Sequence, residues 1–333
     1  MKKKWFAGIG VSTLFVYLSV RNIDIKSVTE GFESAKYGYF LPILLCFFII
    51  QVLRSYRWGL LLNPLLQPAE KISHLDLFAV TSTGFLAISA MPARLGELAR
   101  PFLITGKSTI RMAAALGTVF VERIFDILAV LSIFFGILYF VPMPAWLMKT
   151  GFLFFAVTFV ALMFLLFILF KRDEALNVLT RLLRQLPNRL HHKLEDWLHH
   201  FSDGIATLSD VKTIIFIAFL SLTIWLVDVV AIYLLFLSYN FHLPFVAPFV
   251  LMVVLIIGIA IPTAPGFIGN WHYSCILGLS LFGVPKSDAL SYAITLHVLS
   301  IGLIVILGFI FMPFTGFTFS GMKAKLVNSN LST

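Results

Sequence analysis

The segment TIIFIAFLSLTIWLVDVVAIYLLFLSY, residues Thr213–Tyr239, contains one acidic residue, Asp228, and no basic residue. A helix that crosses the hydrocarbon core of a bilayer needs about 20 consecutive, mostly apolar residues. This segment is long enough and apolar enough to be such a helix. It therefore predicts that the chain is an integral membrane protein.

Apolar runs of the same kind recur on both sides of this segment. They are Trp5–Val20, Tyr39–Leu62, Leu75–Met91, Arg111–Phe140, Trp146–Phe170, Phe245–Ile261, Phe267–Phe282 and Leu290–Phe314. The runs predict an all-α, polytopic membrane protein with about seven to nine helical spans. We expect one transmembrane domain over residues 1–333. The polar insertion 171–210 has leucines at three- and four-residue spacing, which predicts an amphipathic helix at the cytoplasmic membrane surface.

The composition supports a membrane protein over a soluble enzyme. Hydrophobic residues make up 59% of the chain and charged residues only 12%, about half the usual share in soluble domains. The net charge of +9 does not indicate nucleic-acid binding, because no basic stripe with interleaved aromatics lies outside the apolar runs. A basic face suits anionic lipid headgroups instead.

Basic residues predict which helix ends face the cytoplasm, because Lys and Arg are enriched in cytoplasmic loops. They cluster at residues 2–4, at Arg54, Arg57 and Lys71, along 171–193, and at Lys323 and Lys325. We therefore expect a multi-pass protein of the cell (cytoplasmic) membrane with both termini in the cytoplasm. The first run is expected to persist as an uncleaved helix, because no small-x-small cleavage site precedes Arg21.

One run conflicts with this orientation. If Leu75–Met91 crossed the membrane fully, the basic residues that follow it would lie outside; these are Arg94, Arg100, Lys107 and Arg111. A re-entrant hairpin over Leu75–Thr105 removes the conflict. The break between Pro92 and Gly96 would be its tip.

The segment Phe245–Phe282 is a second candidate hairpin, entering from the opposite side. The two tips share the pattern Pro-x-x-x-Gly, at Pro92–Gly96 and at Pro262–Gly266. One run precedes and one follows each hairpin, so residues 39–140 and 213–314 are predicted to be inverted repeats. Interrupted segments at matching places in two halves point to a transport site. The alternative is that Pro and Gly are simply common in membrane helices.

Charged residues inside a membrane cost about 2.5–3.5 kcal/mol each on insertion scales, so they are candidates for function. Arg94, Glu97 and Arg100 are spaced by three and would share a helix face. Pro101 suits the first turn of a helix, so an arm starting near Glu97 would offer amides and two arginines to a phosphate. The alternative is an internal ion network that holds the hairpin together.

A second group, Glu122, Arg123 and Asp126, lies in the long run 111–140. Glu122 and Asp126 share a face, and Arg123 can pair with Asp126. A further cation could come from Arg94 or Arg100. With one local cation, we expect Glu122 to take up a proton near neutral pH and to couple transport to it. The alternative is a buried salt bridge that fixes packing.

Four further residues are candidates on weaker grounds. Arg54 and Arg57, beside Trp58, could contact a lipid headgroup, although snorkelling anchors would look the same. Asp228 and His297 are isolated in apolar runs. Each could carry a proton, or could be a hydrogen-bonded polar group between helices.

Metal and cofactor chemistry are not predicted. His191, Glu195 and His199 fall on one helical face, but the pattern His-Glu-x-x-His is missing. Cys46 and Cys275 lie in apolar runs and are expected to act as small hydrophobes. No nucleotide-binding loop or nucleophile elbow appears.

The order and spacing of four motifs resemble a known family, the transmembrane region of lysylphosphatidylglycerol synthases, also called the flippase-like family. The motifs are Leu53-Arg54-x-x-Arg57-Trp58, Pro92-x-Arg94-x-Gly96-Glu97-x-x-Arg100-Pro101, Glu122-Arg123-x-x-Asp126 and Pro265-Gly266-x-x-Gly269. The resemblance covers roughly residues 5–314. The family usually has an acidic residue soon after the last motif, where this chain has Asn270-Trp271-His272.

The resemblance implies the lipid-translocating region without the aminoacyl-transfer domain of the full synthases. It suggests an amphiphile with an anionic or sugar headgroup, either a phospholipid or a polyprenyl-linked sugar, that is bound and moved across the bilayer. One alternative is a membrane enzyme acting on such a lipid, with Glu97 or Glu122 as base. Another is a non-transporting partner of a lipid synthase or glycosyltransferase.

Overall fold

The computed structural model describes residues 2–91, 96–140, 142–183, 187–208, 210–261 and 263–316, which fold into helices and turns without a strand in these ranges. The helices are α1 (Lys2–Val20), α2 (Ile25–Ser34), α3 (Phe40–Leu62), α4 (His74–Ala90), α5 (Ala99–Ile104), α6 (Met112–Leu138), α7 (Ala145–Phe170), α8 (Arg172–Leu183), α9 (Asn188–Ala206), α10 (Val211–Ser238), α11 (Ala247–Ala260), α12 (Asn270–Ser280) and α13 (Lys286–Thr315).

Four of these helices are long and apolar enough to cross a bilayer: α3 with its flanking turns, α7, α10 and α13. Helix α6 is as long, but it carries the charged group predicted from the sequence. The prediction of an all-α, polytopic membrane protein is therefore confirmed. The number of crossings stays a prediction.

Local capping explains where several helices begin. The Asp210 carboxylate accepts the backbone N–H groups of Lys212 and Thr213 at the start of α10, and these hydrogen bonds hold the pKa of Asp210 below its usual value. Asp24 caps α2 in the same way. Val28 of α2 packs against the hydrophobic core, which holds this short helix in place.

Helices α4 and α5 form the first hairpin. The Asp76 carboxylate at the start of α4 lies 2.8 Å from the Lys107 ammonium just beyond α5, so the hairpin enters and leaves at the same end. Its return is tight, because a Cβ on Gly96 would lie 2.3 Å from the Ala87 carbonyl of α4. Only glycine fits there. The predicted tip residues Pro92 and Arg94 lie outside the described residues.

Helices α11 and α12 form the second hairpin. The Asn270 side-chain amide donates to the Gly258 carbonyl, 3.1 Å away, and links the two arms. This hairpin enters from the other end, where α10 ends and α13 begins; there the Tyr239 and Tyr292 rings are 5.5 Å apart. Pro262 lies outside the described residues. The tip turn Pro265–Phe267 packs against α4, so the two hairpins meet inside the bundle.

The contacts between the two predicted repeats are reciprocal. In these repeats α3 corresponds to α10, α4 to α11, and α6 to α13. Helix α3 packs against α10, α4 packs against α13, and α6 packs against α11. Such reciprocal packing is what two inverted halves require. The repeats over residues 39–140 and 213–314 nevertheless stay a prediction.

The polar insertion is two helices, α8 and α9, rather than one. Helix α9 lies against the start of α6, where a Cβ on Gly117 would lie 2.3 Å from the Phe201 carbonyl of α9. The apolar faces of the insertion cover the ends of α6 and α7, with Ala175 and Ile205 fully buried. The predicted amphipathic helix thus packs on the protein, because glycines at residues 117 and 204 let the backbones meet.

The hairpin topology predicts a labelling pattern. In a variant lacking Cys46 and Cys275, cysteines placed at Lys107 and Lys171 should react with an impermeant maleimide from the same side of sealed vesicles. A cysteine at the exposed Tyr139, at the far end of α6, should react from the opposite side. Opposite-side labelling of residues 107 and 171 would exclude a re-entrant first hairpin.

Candidate functional site

Arg57 of α3 is the centre of a buried ion network. Only 2% of its side chain is exposed. It binds both oxygens of Asp126, at 2.6 and 3.2 Å, and also donates to the Ser221 hydroxyl, 2.6 Å away, on α10. The third residue that accepts a hydrogen bond from Arg57 is Glu122, through one carboxylate oxygen at 3.4 Å. One guanidinium thereby joins α3, α6 and α10.

Arg100 of α5 completes the network from the first hairpin. Its guanidinium lies 2.8 Å from the second oxygen of Glu122, although these two atoms form no aligned hydrogen bond. Its charge also lies 4.2 Å from the centre of the Trp58 ring, a cation–π contact. Trp58 is held in turn by a hydrogen bond from its indole N–H to the Thr118 hydroxyl, 3.1 Å long.

This network bears on three expectations from the sequence. Arg57 is a buried partner of Asp126 and not a snorkelling anchor, because its neighbours on α6 and α10 enclose it. Arg100 faces Glu122 rather than an open anion site. Glu122 lies against two cations, Arg57 and Arg100, where the sequence offered a single local one, and its expected role in proton coupling stays a prediction.

A cavity of about 190 Å³ lies beside the network, where the two hairpin tips meet. Four residues predicted to form the site line it. Its lining is Phe47, Ile50, Gln51, Arg54, Phe85, Ile88, Ser89, Glu97, Arg123, Trp225, Asp228, Met252, Leu255, Ile256, Ile259, Phe267, Trp271, Ser300, Ile301 and Ile304. Both halves of the chain therefore contribute to this central cavity.

Charged groups of both signs face the central cavity. The Arg54 guanidinium lies over the Phe85 ring, 4.9 Å from its centre, and Arg100 lies 5.7 Å from the same ring. Within the described residues, neither Arg54 nor Asp228 forms an ion pair. A charge in a membrane without a close partner is costly, so these two residues are the strongest candidates for contact with a polar ligand.

Two tryptophans add hydrogen-bond donors to the same wall. The indole N–H groups of Trp225 and Trp271 are buried and have no acceptor within the described chain. Buried indole N–H groups usually find a partner. An acceptor on a ligand in the central cavity would satisfy them. Neither tryptophan was a candidate from the sequence, although Trp225 lies three positions before Asp228 and so shares its face of α10.

His297 is satisfied by the protein itself. Its Nε2 lies 2.7 Å from the carbonyl of Gly266, which has a left-handed backbone in the tip of the second hairpin. Its ring also lies 4.9 Å from the His272 ring. This arrangement favours the hydrogen-bonded polar group over the proton carrier that was the other expectation. Among the described residues, no group of three or more possible metal ligands occurs.

The predicted residues thus fall into two sets. Arg54, Glu97, Arg123 and Asp228 line the central cavity. Arg57, Arg100, Glu122 and Asp126 form the ion network behind it. Arg123 belongs to both, because its guanidinium lies 3.8 Å from Asp126. The site is therefore a largely apolar cavity that carries four charged side chains and is backed by a buried charge network.

These features define a class: a polytopic α-helical membrane protein with two hairpins that meet at a charged cavity within the bundle. The family profile described as lysylphosphatidylglycerol synthase TM region matches residues 5–308. The chain belongs to this family.

The chain is similar to three membrane proteins from two archaea. The chain is similar to a UPF0104 membrane protein of Methanocaldococcus jannaschii, with 28% identity over 66% of the chain and 90% of the relative. It is also similar to two UPF0104 membrane proteins of Methanothermobacter thermautotrophicus. These are each 24% identical, and the matches cover 96% and 98% of both partners. No solved structure matches the chain significantly.

The ion network predicts a specific pattern of stability. Arg57→Ala should destabilise the detergent-solubilised protein by about 3–5 kcal/mol, because it leaves buried carboxylates without their partner. Adding Asp126→Asn should recover part of the loss by removing one of those charges. Arg181→Ala on the exposed face of α8 is the matched control. Thermal unfolding measures all three, and an Arg57→Ala midpoint equal to that of the control would contradict the network.

Proposed function

We propose that the protein binds the polar headgroup of a membrane amphiphile in the central cavity and moves it across the bilayer. The observation that carries the proposal is the lining of this cavity. Arg54 and Asp228 line it and form no ion pair among the described residues, and the indole N–H groups of Trp225 and Trp271 have no acceptor there. A headgroup with anionic or hydroxyl oxygens would supply the missing acceptors, and a sugar hydroxyl or amine would suit Asp228.

The two hairpins suggest how a headgroup could be released to either side. Their tips form opposite walls of the central cavity, with Glu97 on the first and Trp271 on the second. Each hairpin is anchored at its own end of the bundle. Small displacements of one hairpin against the other would open the cavity first to one side of the membrane and then to the other, as in transporters with broken helices. The ion network would keep α3, α6 and α10 fixed meanwhile.

The ligand class we favour is an anionic phospholipid or a lipid-linked sugar. The cavity wall carries the guanidinium groups of Arg54 and Arg123 beside the carboxylates of Glu97 and Asp228, and a guanidinium suits the anionic oxygens of a headgroup. The family membership supports a lipid-related role, since its profile is named for a phospholipid synthase. Location in the cell membrane with cytoplasmic termini, and cooperation with a lipid synthase or glycosyltransferase, belong to the same proposal.

Reconstituted vesicles test the proposal directly. Phosphatidylcholine vesicles containing a trace of headgroup-labelled phosphatidylglycerol should expose inner-leaflet label to an impermeant quencher when they contain the protein. Arg54→Ala and Asp228→Asn should each slow this exposure more than tenfold, because one charge-assisted contact is worth about 1.5–3 kcal/mol. Arg54→Lys should recover only part, since Lys lacks the planar fork.

Lys212→Ala, at the exposed start of α10, is the control and should behave like the parent. Equal rates for parent and protein-free vesicles would reject transport of this lipid. Chemical conversion of the labelled lipid, detected by mass spectrometry, would instead favour the membrane enzyme with Glu97 or Glu122 as base.

The two tryptophans give a test that separates binding from folding. Trp225→Phe and Trp271→Phe each remove an N–H that has no acceptor within the described part of the chain, so thermal stability should not fall by more than a few tenths of a kcal/mol. Retention of co-purified anionic lipid should fall several-fold. Trp58→Phe is the control, because its N–H bonds Thr118 and its loss should lower stability. Unchanged lipid retention in both cavity variants would contradict a headgroup role.

A further inference from the structure

A second cavity lies next to the central cavity and shares part of its wall. It has a volume of about 180 Å³ and lies between α6, α7, α10 and α11. Arg123, Trp225, Ile256 and Ile259 line both cavities. These four side chains therefore mark the junction of the two spaces.

The walls of the second cavity differ from those of the first. Apart from Arg123, Asp126 and the Trp225 indole, they consist of aliphatic and phenyl side chains and two small residues, Gly151 and Ala260. The helix that closes it on one side, α7, packs mainly against α6 and the insertion and leaves most of its apolar side chains exposed. The second cavity thus lies beside the hydrocarbon of the bilayer.

Arg123 has unused donors at the junction. Its guanidinium lies 3.8 Å from Asp126, both of whose oxygens are already bound by Arg57 at 2.6 and 3.2 Å. The Nε–H of Arg123 is buried and has no acceptor in the described chain. The central cavity carries four charged side chains and the second cavity two, so a guanidinium at their junction is placed where the phosphate of an amphiphile joins its headgroup to its tail.

We propose that the second cavity holds one hydrocarbon chain of the amphiphile, with the phosphate against Arg123 and the headgroup in the central cavity. The inference rests on the proposed function and extends it from the headgroup to the tail. It assigns the ligand class as a phosphate-containing lipid bound at both ends. An apolar chain brings no polar group of its own into this space. A protein segment or a sugar would bring polar groups that the apolar walls could not satisfy.

Filling the second cavity tests the inference. Ala260→Phe projects a ring into it, and Ala260→Leu is a milder version in case the larger side chain disturbs folding. Val160→Phe, on the exposed face of α7, is the control with a similar gain in volume. The first probe is phosphatidylglycerol with a photoreactive diazirine near the carboxyl end of one acyl chain, in phosphatidylcholine vesicles. The second is glycerol 1-phosphate, which has no chain.

In the parent and in Val160→Phe, the photoprobe should attach to peptides of α6, α7 or α11 that line the second cavity. Attachment there should fall at least tenfold in the Ala260 variants, while binding of glycerol 1-phosphate should change less than twofold. Attachment in folded Ala260 variants equal to the parent would overturn the inference and leave the headgroup proposal standing. If the parent binds neither probe, both the tail inference and the headgroup proposal are overturned.

Discussion

The bidentate pairing of Arg57 with Asp126 is the contact on which the architecture of the membrane region depends. An isolated charge in a low-dielectric interior is very costly, so each member must keep its partner within hydrogen-bond distance. Because the partners come from α3, α6 and α10, the requirement fixes three helices relative to one another. Arg100 pairs with Glu122 and so connects the first hairpin to these three helices. The charges therefore specify packing that apolar side chains in lipid would leave loosely determined.

That fixed network also allows a cavity to exist beside it. If the walls of this space could move freely, its charged side chains and indole N–H groups would turn towards other partners and the space would close. Here the walls on α3 and α6 are held from behind, so Arg54 and Arg123 remain facing the interior. The hairpin tips line the same cavity with Glu97 and Trp271. Arg100 ties the first hairpin to the ion network, and the Gly266 carbonyl ties the second hairpin to His297.

The sequence was sufficient to predict the helical membrane class and both hairpins, because run length and basic flanks depend on local composition alone. It also named the charged residues correctly as a group, since charges in apolar runs are rare. It could not assign partners. Arg57 looked like an anchor at a helix end, and only its distance of 2.6 Å to Asp126, far away in the sequence, shows its place in the network. Likewise, nothing local marks the Trp225 and Trp271 N–H groups as unpartnered.

The contact between α6 and α9 has a consequence for depth in the membrane. At Gly117 and Gly204 the two backbones touch, so α6 cannot slide along its axis without displacing α9. Glu122 and Asp126 lie roughly one and a half and two and a half turns beyond Gly117 along α6. A polar helix outside the apolar core therefore sets the vertical position of charges inside it. A partner that binds the insertion from the aqueous phase and displaces it would therefore displace the ion network without entering the membrane.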